Sequence, residues 1–440
     1  MNIQSLEVTG DFSGIRRQAS ERLFRDPSHT VFDSMMEVSL AAEARMNELS
    51  RHYPDRKLWI AGSLGRREML PNSDIDLFVI YDDDDSIDSD IKVAGVDKFE
   101  IGHIRKGRLY GLLRESIVES HQFTDGREVG LVPAPDMREL VRDATTPDHL
   151  LATTISEYFF YRYFDFPNKA TPMGPNMKYS AGSSRETMFF NLVCRVNTGI
   201  VPVDQGAAPE LLDGMFDAEK RYGIRPPIEA IDLLFASKNA AVSVSDKYGD
   251  VRFKYASPES LAAIYEFGKE RFYAKGFKDQ RQFVDAFGNA RRELEITVDL
   301  LLARTLADQP VTDTFKRILA ASHSELPQLV VDLMKSEAQY PHAVTSFGAW
   351  FASTGRVSSA DLVRITDELV RLPLERSWGG LMAVACCPTM PDDRLSTLLD
   401  WLYEHEKGAY LIKLISRNTS ASAETRARAR RYFKEKAIVI

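Results

Sequence analysis

The stretch GSLGRREMLPNSDIDLFVI, residues 62–80, decides the reading of this chain. It follows a short apolar run, Leu58 to Ala61, that reads as a strand stopped by Gly62. Gly62 and Gly65 permit a tight turn in which backbone amides approach phosphate oxygens, and Ser63 adds a hydroxyl donor. The sequence from Ile75 to Tyr81 alternates as a second strand. Asp74 and Asp76, two apart, therefore share one face while Ile75, Leu77 and Val79 share the other. Two carboxylates side by side repel each other unless a cation lies between them. Hard oxygen donors at this spacing suit Mg²⁺, with Mn²⁺ as its substitute, and an NTP's phosphates would complete the octahedron.

Outward from that stretch, a third strand is expected around 98–104 (KFEIGHI), after an acidic loop at 82–90 with six aspartates. Glu100 alternates with apolar Phe99 and Ile101, so it is the candidate third carboxylate of a two-metal site, with Asp97 in reserve. Arg66 and Arg67 could neutralise phosphate charge, Arg66 being favoured, and Glu68 could orient one of them. Upstream, Met35, Val38, Ala42, Met46 and Leu49 recur at helical spacing. Helix-compatible sequence also covers 64–69 and 108–122. Beyond Pro133 and Pro135 the pattern becomes helical: 150–164, 185–197, 227–242, 257–274 and 278–308. From about 311 it turns quasi-periodic, with Leu329, Leu362 and Leu395 spaced 33 residues apart, as in stacked helix pairs.

The chain's 440 residues allow about three domains. The boundaries drawn are an N-terminal extension at 1–30, a nucleotide-handling α/β unit at 31–132, a helical domain at 133–310 completing the cleft, and a helical-repeat-like region at 311–440. The fold class is α+β, a small sheet with helices followed by helical and solenoid-like parts. A net charge of −8 means that bulk electrostatics would not gather a polyanion, so any nucleic-acid contact must be local. Three cysteines, Cys194, Cys386 and Cys387, make no disulfide framework, and no apolar run is long enough for a membrane span. A reducing, cytoplasmic location without membrane contact is expected.

With these residues in view, Gly-Ser-x-Gly-Arg-x-Glu-x-x-Pro-x-Ser-Asp-Ile-Asp, followed by Glu-Ile-Gly-His, resembles the nucleotidyltransferase superfamily related to DNA polymerase beta. Two more segments, ESHQFTDGRE (119–128) and PNMKYSAGSSRETMFFNLVCRV (175–196), are similar to the branch of PII-protein uridylyltransferases and other signal-transduction nucleotidyltransferases. The resemblance implies that Asn176, Lys178, Gly182 and Arg185 lie near the nucleotide. The branch's Gly-Gly-Leu-Arg-Asp is here Gly-Ser-Ser-Arg-Glu, and Arg67 replaces a small residue. None of the eight histidines precedes an aspartate, so the branch's phosphohydrolase and ligand-sensing domains are not expected.

The expected activity is transfer of an NMP from an NTP to a hydroxyl, with release of pyrophosphate. Asp74, Asp76 and Glu100 would hold metal, while Gly62, Ser63, Gly65, Arg66, Lys178 and Arg185 would hold nucleotide. A protein acceptor or regulator, docked on the C-terminal helices, is the leading partner. An RNA 3′ end, an aminoglycoside-type small molecule, and a nucleotide-sensing scaffold without turnover are the alternatives. Blander readings accompany other features. The aspartate run reads as a solvated loop, His103 as structural, and the aromatic cluster Tyr158–Phe166 as core. The paired cysteines read as buried and the tail TRARARRYFKEK (425–436) as a solvated helix face. Lys178 and Arg185 could instead belong to an ordinary helix start capped by Ser183 or Ser184.

Overall fold

The computed structural model describes residues 12–52, 57–82, 99–105, 127–129, 146–165, 167, 173–199, 209–336, 339–404 and 408–437, with side chains undescribed at 52, 99–105, 127–129, 375 and 436–437. Asp97, most of the acidic run, the stretch 108–122 and residues 119–126 of the second family-like segment lie outside them. The chain divides into two compact units. One contains residues 1–107, 122–141 and 165–303; the other contains 108–121, 142–164 and 304–440. This division departs from chain-order boundaries, since 142–164 group with the C-terminal helices.

The first unit is built on a sheet in the order β3-β2-β1-β4. Its strands are β1 (Lys57–Ala61), β2 (Ile75–Tyr81), β3 (Phe99–Arg105) and β4 (Arg127–Val129). β1 runs antiparallel to β2 and β4, while β2 and β3 are parallel. The alternation in β2 is realised: Ile75, Leu77 and Val79 are fully buried, whereas Asp76 and Phe78 keep partial exposure. Each apolar side chain removed from water contributes about 2 kcal/mol. They meet helices α1 (Phe12–Arg25) and α2 (Val31–His52) through Phe12, Ala19, Val38, Ala42, Met46 and Leu49. The helical spacing read in α2 is thus its core face. Residues 12–25, polar in composition, are a helix whose Phe12, Ala19 and Leu23 belong to the interior.

Two polar knots fasten a long helix to this sheet layer. We label the four-residue helical turn Gly62–Gly65 α3, then α4 (Pro147–Phe160), α5 (Met188–Thr198), α6 (Glu210–Tyr222) and α7 (Ile228–Tyr248). α7 is buried on nearly every side and ends at Gly249 in the left-handed region. Asn72, in the turn before β2, donates to the Asn239 side chain (3.1 Å) and to the Ser243 hydroxyl (3.1 Å). Arg271 joins both carboxylate oxygens of Asp232 (2.7 and 2.6 Å) and the carbonyls of Leu23 and His29, while Asp232 accepts from the Val31 amide. Both terminal nitrogens of the buried Arg271 guanidinium thus have acceptors, and its charge is paired with the Asp232 carboxylate.

The chain continues through α8 (Pro258–Phe267), α9 (Lys269–Ala274) and α10 (Gln280–Ala307), which leads into the second unit. That unit contains α4 and the helices α11 (Thr312–Ala320), α12 (Leu326–Lys335), α13 (Pro341–Phe351), α14 (Ser359–Leu369), α15 (Leu374–Cys386), α16 (Asp392–Glu404), α17 (Ala409–Ile415) and α18 (Ala423–Ala437). α12, α14 and α16 begin 33 residues apart, at Leu326, Ser359 and Asp392, so the sequence period is a helix period. α12 packs on α13 and α14, α13 on α15, α15 on α17, and α16 on α17 and α18. Phe159 and Phe160 are buried and Phe159 stacks on Trp350, while Tyr163 is exposed at 56%. Cys386 and Cys387 are buried, and α18 turns Arg428 toward Asp400 and Ser396. Among the described residues, no helix is long and apolar enough to cross a membrane.

Candidate active site

Gly62 leaves β1 with φ of +61°, and a Cβ there would lie 2.1 Å from Asp76 Oδ2. Only glycine lets the backbone approach the carboxylate so closely. The register explains the meeting: Asp76 pairs with Ala61 across β1–β2 and with Glu100 across β2–β3. The strand spacing read from the sequence therefore places Asp76 and Glu100 opposite each other, while the Glu100 side chain lies outside the described residues. Asp74 is exposed just before β2. Among the described residues no group of three His, Cys, Asp or Glu side chains forms a metal cluster. The described donors suit a hard divalent cation: Asp76 on β2 lies against bare backbone, and Asp74, one residue before the strand, is reachable from solvent.

The expected helix at 64–69 is replaced by a tighter device. α3 makes one turn, with the Arg66 amide bonding to the Gly62 carbonyl (3.2 Å) and the Glu68 amide to the Ser63 carbonyl (2.6 Å). Arg67 then takes a left-handed φ of +57°, which costs a non-glycine residue about 1–2 kcal/mol. Its guanidinium is buried against Glu43 (Nε to Oε1, 2.9 Å), and burial pulls its pKa below the ordinary value. Arg67 is thereby committed to holding the turn. Arg66 pairs with Glu68 (2.9 Å), and Glu68 also accepts from Asn191 of α5 (2.8 Å). Gly65 is buried at the end of the turn without positive φ, and Ser63 keeps partial exposure.

Behind this turn, Arg195 and Glu210 form a buried pair (2.7 Å), and the Glu210 amide bonds to the Arg66 carbonyl (2.9 Å). Burial raises the Glu210 pKa, and Arg195 opposes the rise.

A second segment delivers positive charge. Asn176 Oδ1 accepts from the amides of Lys178 (2.8 Å) and Tyr179 (3.0 Å), and the Arg185 amide bonds to the Lys178 carbonyl (3.2 Å). Lys178 and Arg185, seven apart in sequence, are thus neighbours across a closed loop. Gly182 makes the closure possible: its φ is +68°, and a Cβ would meet the Arg291 carbonyl oxygen at 2.1 Å. Ser183 and Ser184 do not cap a helix. α5 begins later, at Met188 after Thr187, and Ser183 instead donates to the Lys178 carbonyl (2.7 Å).

The structure adds a residue that sequence reasoning missed. Lys238 of α7 is pushed down to about 7, first by burial, then by the positive charges of Lys178, Arg185 and Arg66, with Glu68 pulling the other way. Those three cations, from two segments far apart in sequence, therefore converge within electrostatic reach of one ammonium. The signal that could have found it is the lone basic residue in a largely apolar run, AIDLLFASKNAAV (230–242).

Residues 46–146 match the family model of a nucleotidyltransferase domain. The match takes in the end of α2, all four strands, the Gly62 turn, Asp74, Asp76 and Glu100. No curated protein matches the chain. A nucleotidyltransferase domain supports transfer of a nucleoside monophosphate as the class of chemistry.

Proposed function

We propose that this chain transfers an NMP from an NTP to a hydroxyl and releases pyrophosphate, with Asp74, Asp76 and Glu100 holding divalent metal. The observation that carries this reading is the contact of left-handed Gly62 with Asp76, in register with Glu100, beside a matched nucleotidyltransferase sequence. Bound there, Mg²⁺ or Mn²⁺ would lower the acceptor hydroxyl's pKa and neutralise charge on the leaving pyrophosphate. The residues supply the rest. Asp76 is fixed on β2 by its register, so the strand presents it beside Gly62 before any ligand binds. Gly62 and Ser63 bring backbone and hydroxyl donors to the phosphates, with Gly65 closing the turn behind them. Arg66, oriented by Glu68, and the Lys178–Arg185 pair hold the phosphate charge. Arg67 positions the turn and stays out of the chemistry.

The acceptor in this proposal is a protein, as in the signal-transduction branch that residues 175–196 resemble. The helices beginning at 33-residue intervals support it, because stacked pairs of that kind offer an extended docking surface. The test is to incubate the purified chain with each α-labelled NTP, Mg²⁺ and cell lysate, and then to ask which fraction carries label. Label in protein is expected. Label in RNA or small molecules would replace the acceptor, and bound NTP with no label anywhere would leave a scaffold.

A further inference from the structure

We propose that Asn191 of α5 is a positioning residue for Arg66: by fixing the Glu68 carboxylate it sets the orientation in which the Arg66 guanidinium meets the nucleotide's phosphates. This rests on the proposed nucleotide site and deepens it, since Asn191 lies outside the matched residues 46–146 and is not among the residues that the sequence assigns to metal or nucleotide.

The geometry is a relay of two hydrogen bonds. Asn191 Nδ2 donates to Glu68 Oε1 (2.8 Å), and Glu68 Oε2 accepts from Arg66 Nε (2.9 Å). Each carboxylate oxygen thus has its own donor, which fixes the carboxylate and, through Nε, the plane of the guanidinium. Asn191 and Glu68 are both buried, at 3% and 6% exposure, so little water competes for the link.

The same face of α5 holds the main chain of Arg66. Arg195, one turn on from Asn191, donates to both oxygens of Glu210 (2.7 and 2.8 Å), and the Glu210 amide donates to the Arg66 carbonyl (2.9 Å). α5 is a firm base for both routes. α6, which carries Glu210, approaches it so closely that a Cβ at Gly214 would meet the Phe190 carbonyl oxygen at 2.6 Å, and Asn197 ties the end of α5 to Asp217 (3.0 Å).

The residue type at 191 fits this role. A carboxylate can only accept, so it turns the amide nitrogen of Asn191 toward itself and leaves the carbonyl oxygen buried without a hydrogen-bond partner among the described residues. Stranding that acceptor costs stability. What the site gains is a neutral donor that holds Glu68 without bringing a second positive charge to compete with Arg66.

The experiment reads equilibrium binding of Mg²⁺ with each NTP to the full chain, at a temperature well below the melting transition of every variant. Asn191→Asp keeps the side chain's size but sets a second carboxylate against Glu68, and should weaken binding about tenfold. Adding Glu68→Gln reverses the polarity of the relay: the new amide nitrogen at 68 donates to the carboxylate at 191, and its carbonyl oxygen accepts from Arg66 Nε. This double variant should bind within about threefold of the wild type. Asn191→Ala removes the donor without adding charge; it should also weaken binding, and adding Glu68→Gln to it should restore nothing. Where Asn191→Asp does not fold, the comparison of the two double variants decides. Wild-type affinity in Asn191→Asp, or no difference between the two double variants, overturns this inference and leaves the nucleotide site standing. If no NTP binds the wild type, the proposed function fails and this inference fails with it.

Discussion

Replacing Gly62 with alanine separates the demands of folding from those of the site. The new Cβ would sit 2.1 Å from Asp76 Oδ2, so the carboxylate must withdraw by about 1.3 Å to reach ordinary contact. That atom ends a short, partly exposed side chain, so the retreat itself costs the fold little. The backbone cost is the φ of +61°, about 1 kcal/mol for alanine, which lowers the melting temperature of a chain this size by a few degrees. Catalysis responds more steeply, because a 1 Å displacement of a positioned group costs about 10²-fold in rate. Gly223→Ala is the matched control: φ there is +66°, and nothing lies within 4 Å of the added Cβ. Melting curves for the two variants should therefore nearly coincide. Label transfer from NTP should fall about a hundredfold in Gly62→Ala and stay at the wild-type rate in Gly223→Ala. Full transfer by Gly62→Ala would refute the argument that Asp76 works from the position Gly62 allows.

Other outcomes follow from the same geometry. Glu68→Ala removes the shared partner of Arg66 and Asn191, so urea denaturation should show a loss of roughly 3 kcal/mol, together with weakened NTP binding. Gly182→Ala drives its Cβ against the backbone carbonyl of Arg291, which cannot swing away. It should destabilise by well over the ~1 kcal/mol of strain seen with Gly223→Ala in the same melts. In the C-terminal helices, the Ser422 amide bonds the Asp392 carboxylate (2.6 Å) and holds its pKa below the ordinary value. A lowered carboxylate pKa stabilises the fold above the unfolded value and loses that contribution as pH falls through the folded value. The urea midpoints of wild type and Asp392→Asn should therefore converge as pH is lowered from about 6 to about 3.

Much of the sheet was legible because a strand writes its faces into alternate positions. Ile75, Leu77 and Val79 announced a buried face, Gly62 a stop, and the Asp76–Glu100 register followed once 99–105 paired with β2. The α2 stripe and the 33-residue period were legible for the same reason: each is a repeat that packing enforces. Single-residue devices were not. Arg67 enters the left-handed region because burial against Glu43 holds it there, and no propensity announces that in advance. The turn therefore replaced the helix expected at 64–69. α1 hid because Phe12, Ala19 and Leu23 are diluted by charged neighbours, and β4 because three residues carry no period. Lys238 escaped because its partners, Arg66, Lys178 and Arg185, are brought to it by tertiary structure alone. The motif reading found three of those four cations; the fourth is visible only in the fold.

The most direct test of the account is the rate at which pyrophosphate is released and label from NTP is incorporated, compared between the wild type and Asp76→Asn. That substitution keeps size and shape on a strand whose buried face is untouched, so melting should be unchanged. The account predicts coupled release and incorporation by the wild type and the loss of both in the variant. Undiminished transfer by Asp76→Asn would contradict it.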